Sequence, residues 1–167
     1  MSFPPEAYPD PTYLGETGEA SAVLRRADAA PEHVGTATAA SYLATGASTK
    51  GQFGLYRWDM PGKPTGPGPH FHRSISESFF ILSGTVRLYN GAKWIDATPG
   101  DFLYVPEGGI HGFRNDSGEP ASMLILFAPG APREGYFEGL VEIANRTEKP
   151  SEEEMDEFFA RHDNVWL

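Results

Sequence analysis

The stretch His70-Phe71-His72-Arg73-Ser74-Ile75-Ser76-Glu77 decides how this chain is read, and His111 answers it from beyond a Gly/Pro-rich turn. Side chains two apart on an extended segment project from one face, so His70 and His72 present imidazoles to one point while Phe71 turns away. Glu77 follows after a span long enough for a short turn, and it opens the apolar run Phe79-Phe80-Ile81-Leu82, which reads as the next strand. Three imidazoles and one carboxylate can then converge from three segments on one metal ion. The expected cofactor is one divalent transition metal, because Fe, Ni, Mn, Co, Cu or Zn suits mixed nitrogen and oxygen donors. Ca or Mg would want oxygens almost throughout. A single histidine points nowhere in particular, but the chain has only 5, and His70, His72 and His111 all fall in these segments.

Outward from this core the glycines, prolines and asparagine fall in a pattern. Gly84 follows Glu77, and Gly100, Pro106, Gly108, His111 and Asn115 form a second group. Together they resemble the two motifs of the cupin family, G(X)5HXH(X)3-4E(X)6G and G(X)5PXG(X)2H(X)3N. The second is matched at every defined position. The first departs only at its leading glycine, which falls on Pro64 with Gly62, Gly66 and Gly68 close by. The short spacing from Gly84 to Gly100 is common in microbial cupins, and compatible strand patterns extend the resemblance over residues 42–130. It implies an all-β fold, a closed antiparallel cupin jelly-roll β-barrel, with His70, His72, Glu77 and His111 as metal ligands.

A length of 167 residues allows one domain with a real core. The formal net charge of -10 opposes nucleic acids and anionic membrane surfaces, so neither is an expected partner. With 0 cysteines there is no disulfide framework and no thiolate ligand. No apolar run approaches a membrane span, and Met1-Ser2-Phe3-Pro4-Pro5-Glu6 lacks the basic and hydrophobic regions of a signal peptide, which makes the cytoplasm the expected location.

Three regions are expected. Residues 1–40 form an arm whose Pro4, Pro5, Pro9 and Pro11 prevent a helix, followed by a stretch, Ala20 to Ala30, whose composition permits a short one. Such arms often lie across a neighbouring subunit in cupins, and a plain disordered terminus is the alternative. Residues 41–130 form the barrel. Its strands are read at 41–45, 52–60, 79–82, 85–89, 93–97, 102–105 and 122–127, divided by Gly, Pro and Asn turns. Asn90-Gly91 marks a tight hairpin. Pro61 to Pro69 forms a stiff rim before His70. Large apolar groups on both faces of residues 53–60 suit a wall covered by a second sheet or subunit, and a homodimer is the expected assembly.

Residues 131–167 form a helical extension packed on the barrel. Tyr136, Leu140 and Ile143 recur at helical spacing, although Gly135 and Gly139 weaken that helix. Ser151 and Glu154 form a capping box, after which Met155, Phe158, Phe159 and His162 line one face. Packing over the barrel or a partner is the first reading of this helix, and a gating lid is the alternative.

Glu77 is the expected catalytic residue, a carboxylate able both to bind metal and to accept a proton. Phe79, Ile81 and Phe113 share the parity of the ligands and are candidates for substrate binding, with ordinary core as the competing reading. Within the cupins the chain is similar to small single-domain quercetinase-like members. It shares with them the 3-His/Glu set, Phe79-Phe80-Ile81-Leu82-Ser83-Gly84, and Phe127-Ala128-Pro129-Gly130 followed by a helix. That resemblance implies a metal-dependent dioxygenase whose partners are a small aromatic, polyketide- or flavonol-like hydroxy-ketone and O2. The alternative is a non-redox metal cupin (isomerase, cyclase or decarboxylase) or a small-molecule binding module.

Overall fold

A computed structural model describes residues 7–35 and 38–167. In chain order the elements are β1 (His33–Val34), β2 (Ala39–Ala44), β3 (Gly54–Met60), β4 (His70–Phe71), β5 (Ser76–Ser83), β6 (Val86–Tyr89), β7 (Trp94–Ala97), β8 (Phe102–Val105), β9 (Gly112–Arg114), β10 (Ala121–Ala128), α1 (Arg133–Ala144), α2 (Glu152–Arg161) and β11 (Val165–Trp166). Every strand pairing is antiparallel. A six-stranded sheet runs β1-β2-β3-β10-β5-β8, a three-stranded sheet runs β7-β6-β9, and β11 pairs with β4. This is the expected jelly roll.

The period-2 pattern explains the core. On β10, Met123, Ile125 and Phe127 turn inward, and on β5 Phe79 and Ile81 do the same. They meet Val86, Leu88 and Phe113 from the smaller sheet in one cluster. Each such side chain contributes roughly 1.5–3 kcal/mol on full burial, so the two sheets are held face to face mainly by apolar area. The opposite parity leaves Phe80 40%, Leu82 37%, Phe102 63% and Tyr104 57% exposed on the outside of the large sheet.

The rim before β4 is tied down by a bridge between Thr65 and Asn115. Gly66 has φ 129°, and a Cβ there would collide with the Phe113 carbonyl, so only glycine lets the rim lie this close to β9. In the extension, Tyr136 and Phe137 bury one face of α1, and Phe158 of α2 stacks on Tyr136 at 5.6 Å. The glycine that weakens α1 in isolation has a use here, since a Cβ on Gly139 would meet the Phe158 ring at 2.6 Å. The capping box of α2 forms as expected, with Ser151 and Glu154 bonding each other's backbone N–H.

Three expectations change. No helix forms over residues 20–30. Arg25 instead reaches Glu32 at 2.6 Å and the Ala30 carbonyl at 3.0 Å, and Glu32 accepts the Tyr42 N–H at 2.8 Å, so the segment is folded by these side-chain bonds and tied through Glu32 to β2. The sheet begins at His33, inside the expected arm, while residues 1–6 of that arm lie outside the described residues. The hairpin at Asn90-Gly91 is wider than a two-residue turn. The Asn90 side chain accepts the N–H groups of Ala92 and Lys93, and pairing resumes at Tyr89 opposite Trp94. Among the described residues no helix is long and apolar enough to cross a membrane.

Candidate metal centre

His70 opens β4, and its backbone exchanges two hydrogen bonds of 2.9 Å with that of His111, which stands just before β9. His72 lies one residue past β4, and its carbonyl accepts the Gly108 N–H at 2.7 Å. Glu77 is the second residue of β5, on the face that buries Phe79 and Ile81. One ligand atom from each of His70, His72, Glu77 and His111 lies within 4.8 Å of the others. All four residues are at most 5% exposed.

The rings are oriented through their outer nitrogens. The Nδ1–H of His70 donates to the Gly68 carbonyl at 2.9 Å, that of His72 to the Asp163 carbonyl at 2.6 Å, and that of His111 to the Gly109 carbonyl at 2.9 Å. A carbonyl only accepts, so each Nδ1 carries the proton and each Nε2 is turned to the centre, the arrangement metal-ligating histidines use. Glu77 Oε2 lies 3.0 Å from His72 Nε2 and 2.7 Å from His111 Nε2. A carboxylate accepts as well, so these two contacts each need a proton on nitrogen, and a divalent cation among the same atoms would take their place. The donor set therefore fits a divalent transition metal.

The electrostatics follow from this geometry. Burial alone would raise the Glu77 carboxyl, but the hydrogen bonds from His111 and His72 outweigh it and hold Glu77 below the usual carboxylate range. Burial pulls His111 down, and its bond to Glu77 and the carboxylate charge more than compensate, so His111 ends above its ordinary value. His70 has no contact of that kind, and burial pushes it down to about 4.

Of the three expected substrate-binding residues, Phe79 and Ile81 are fully buried in the core and Phe113 is nearly so. The Phe79 ring lies between His111, at 5.9 Å, and Phe113, at 5.8 Å. Phe113 also lines a cavity of about 400 Å3 together with Trp58, Tyr136, Leu140, Phe159 and Trp166; Phe79 and Ile81 do not. His162 is the C-cap of α2 and stands outside the donor set.

Sequence reasoning missed the segment after α2. It returns as β11, placing Val165 opposite Phe71 and Trp166 opposite His70, with the Trp166 and His70 rings 4.9 Å apart. A two-residue strand has no periodicity to detect. The available signal was Asp163 directly after a helix end, where its φ of 56° turns the chain back.

Residues 56–127 match the family model described as cupin domain, a span that contains all four donors. The chain carries a cupin domain. Over 61 residues this cupin is 34% identical to quercetin 2,3-dioxygenase of Bacillus subtilis (strain 168), a match covering 36% of this chain and only 18% of that protein. Among solved structures it is similar to a predicted oxalate decarboxylase from Thermotoga maritima, at 18% identity and TM-score 0.58, covering 65% of this chain and 99% of that one. It is also similar to the polyketide cyclase RemF from Streptomyces resistomycificus, at 24% identity and TM-score 0.54, covering 66% and 80%. Both structural likenesses concern the fold.

Proposed function

We propose that this cupin is a metal-dependent dioxygenase acting on a small aromatic, polyketide- or flavonol-like hydroxy-ketone. The observation that carries the reading is the buried set of three inward Nε2 atoms and one carboxylate within 4.8 Å. The identity to quercetin 2,3-dioxygenase across the matched residues supports the substrate class. A divalent transition metal held by His70, His72, Glu77 and His111 would supply Lewis acidity and a centre for O2 chemistry.

The protein's own groups do the rest. His70, His72 and His111 hold the cation in fixed orientation, because each ring is pinned through Nδ1. Glu77 is ionised at neutral pH and accepts the hydroxyl proton of the substrate. Only its Oε2 engages the histidines, which leaves Oε1 for that task. Trp58, Phe113 and Tyr136 give flat apolar walls suited to a planar ring to a cavity that none of the four donors lines. It reaches toward them through Trp166, whose ring lies 4.9 Å from that of His70.

Oxygen uptake by protein reconstituted in turn with Fe, Ni, Mn, Co, Cu and Zn, against a panel of hydroxy-ketone aromatics, tests this function. Uptake with at least one cation, abolished in His111→Ala, is the expected result. Cation-dependent turnover without O2 consumption would move the protein to the isomerases, cyclases or decarboxylases. Binding without turnover would make it a small-molecule binding module.

The proposal includes a homodimer formed through the outer face of the large sheet. Phe80 and Phe102 sit opposite each other there, with Tyr104 and Leu82 beside them, and all four are exposed in the single chain.

A further inference from the structure

His70 and His111 each take a carbonyl two residues back along the chain, on Gly68 and Gly109, so their rings are oriented locally. His72 differs, since its carbonyl acceptor belongs to Asp163, 91 residues away. Several independent contacts hold that acceptor in place. The Asp163 carboxylate accepts the backbone N–H of Arg73 at 2.9 Å, the N–H of Ser74 at 2.8 Å and the Ser74 hydroxyl at 2.6 Å, gripping the turn between His72 and Glu77. On either side of Asp163, the guanidinium of Arg133 donates to the His162 carbonyl at 2.6 Å and to Asn164 Oδ1 at 3.0 Å. Arg133 is only 4% exposed, a cation buried at the start of α1 whose hydrogen bonds go to this one segment. Its Nε has no hydrogen-bond partner among the described residues, so the charge is held by these two bonds and by the Tyr136 ring, over which the guanidinium lies at 4.4 Å.

We propose that Asp163, held by Arg133 and Asn164, is a positioning residue of the metal centre that sets the orientation of His72 and through it the affinity for the cation. The inference rests on the metal reading above and concerns a segment outside the matched cupin residues 56–127. Groups that fix a ligand through its second nitrogen typically change metal affinity 10–100-fold when removed. A segment that merely packs on the sheet would, when loosened, disturb His70 through Trp166 as much as His72. A segment that orients His72 affects one.

The test uses Co(II) as the probe and the full chain. Affinity is measured by titration, and the proton spectrum of the Co(II)-loaded protein is read for the paramagnetically shifted Nδ1–H of each histidine. His72 is assigned by its contact with Phe127, whose ring lies 6.4 Å away. In Asp163→Ala the affinity is expected to fall at least about tenfold, with the His72 Nδ1–H lost to solvent exchange while those of His70 and His111 persist. Asp163→Asn, which keeps an oxygen acceptor, restores most of both. Should Asp163→Ala not fold, Asn164→Ala leaves the Asp163 groups in place and is expected to give a smaller loss confined to His72. Unchanged affinity with three protected signals overturns the inference, and so does weakening of the His70 signal as much as that of His72. A wild-type protein that binds no Co(II) overturns the metal reading itself.

Discussion

Glu77 serves two purposes that a single substitution separates. Glu77→Gln preserves shape and one oxygen donor but removes the negative charge and the basic site. Turnover is therefore expected to fall about 10²–10⁴-fold while one equivalent of cation is still bound at higher concentration; full activity in this variant would remove Glu77 from the chemistry. The protons between Glu77 and its partners give a second expectation. Because the fold raises His111 above its ordinary 6.5, a proton competes with the cation there through the neutral range, so affinity should weaken as pH falls and strengthen as it rises. Calorimetry in buffers of different ionisation heat should show proton release on binding near pH 7, and binding with no proton release would contradict the arrangement. At this scale the four donors were legible, because alternate histidines on a strand and the Gly/Pro turn before His111 leave a visible spacing. The partner of each Nδ1 was not. Two are carbonyls reached by local turns, and the third comes from a residue whose backbone, rather than its side chain, makes the contact.

The strands were legible where one face is buried and turn residues bound the run, as at Ser122 to Phe127. They were illegible where pairing is short and decided by distant partners, as in β1 and β11. The helix expected over residues 20–30 failed for the same reason, since Arg25 and Glu32 find better partners in each other and in β2. Asn90-Gly91 marked the right place but the wrong width, because the Asn90 side chain supplies hydrogen bonds that hold a longer loop. The helix α2 was legible to its cap, and that cap is testable. Ser151→Ala should destabilise its first turn by roughly 0.5–2 kcal/mol. Hydrogen exchange would then speed up for the amides of α2 while those of β10, deep in the large sheet, stay protected. Equal acceleration in both would mean that α2 and the barrel open as one unit.

For the molecule as a whole, the antiparallel jelly roll was foreshadowed by many short strands and by turns at regular intervals. A covered wall was expected from large apolar groups on both faces of residues 53–60, and the apolar face that the single chain exposes lies on β5 and β8. The exposed Phe80, Leu82, Phe102 and Tyr104 lead to a specific expectation. The wild type should sediment as a dimer at micromolar concentration, and Phe102→Glu with Tyr104→Glu should sediment as a monomer of about 18.2 kDa with its cation content unchanged. A wild type that is monomeric would leave that face without the proposed partner. The long reach from His72 to Asp163 bears on the order of events in the cell. A chain emerging from the ribosome presents His70, His72, Glu77 and His111 well before Asp163 has been joined. During that interval the turn after His72 lacks the grip of Asp163, so a cation meeting the nascent chain would find one of the three imidazoles not yet aimed. On the proposed role of Asp163, a cation would be bound most tightly only once the segment that follows α2 has been translated and grips the turn after His72.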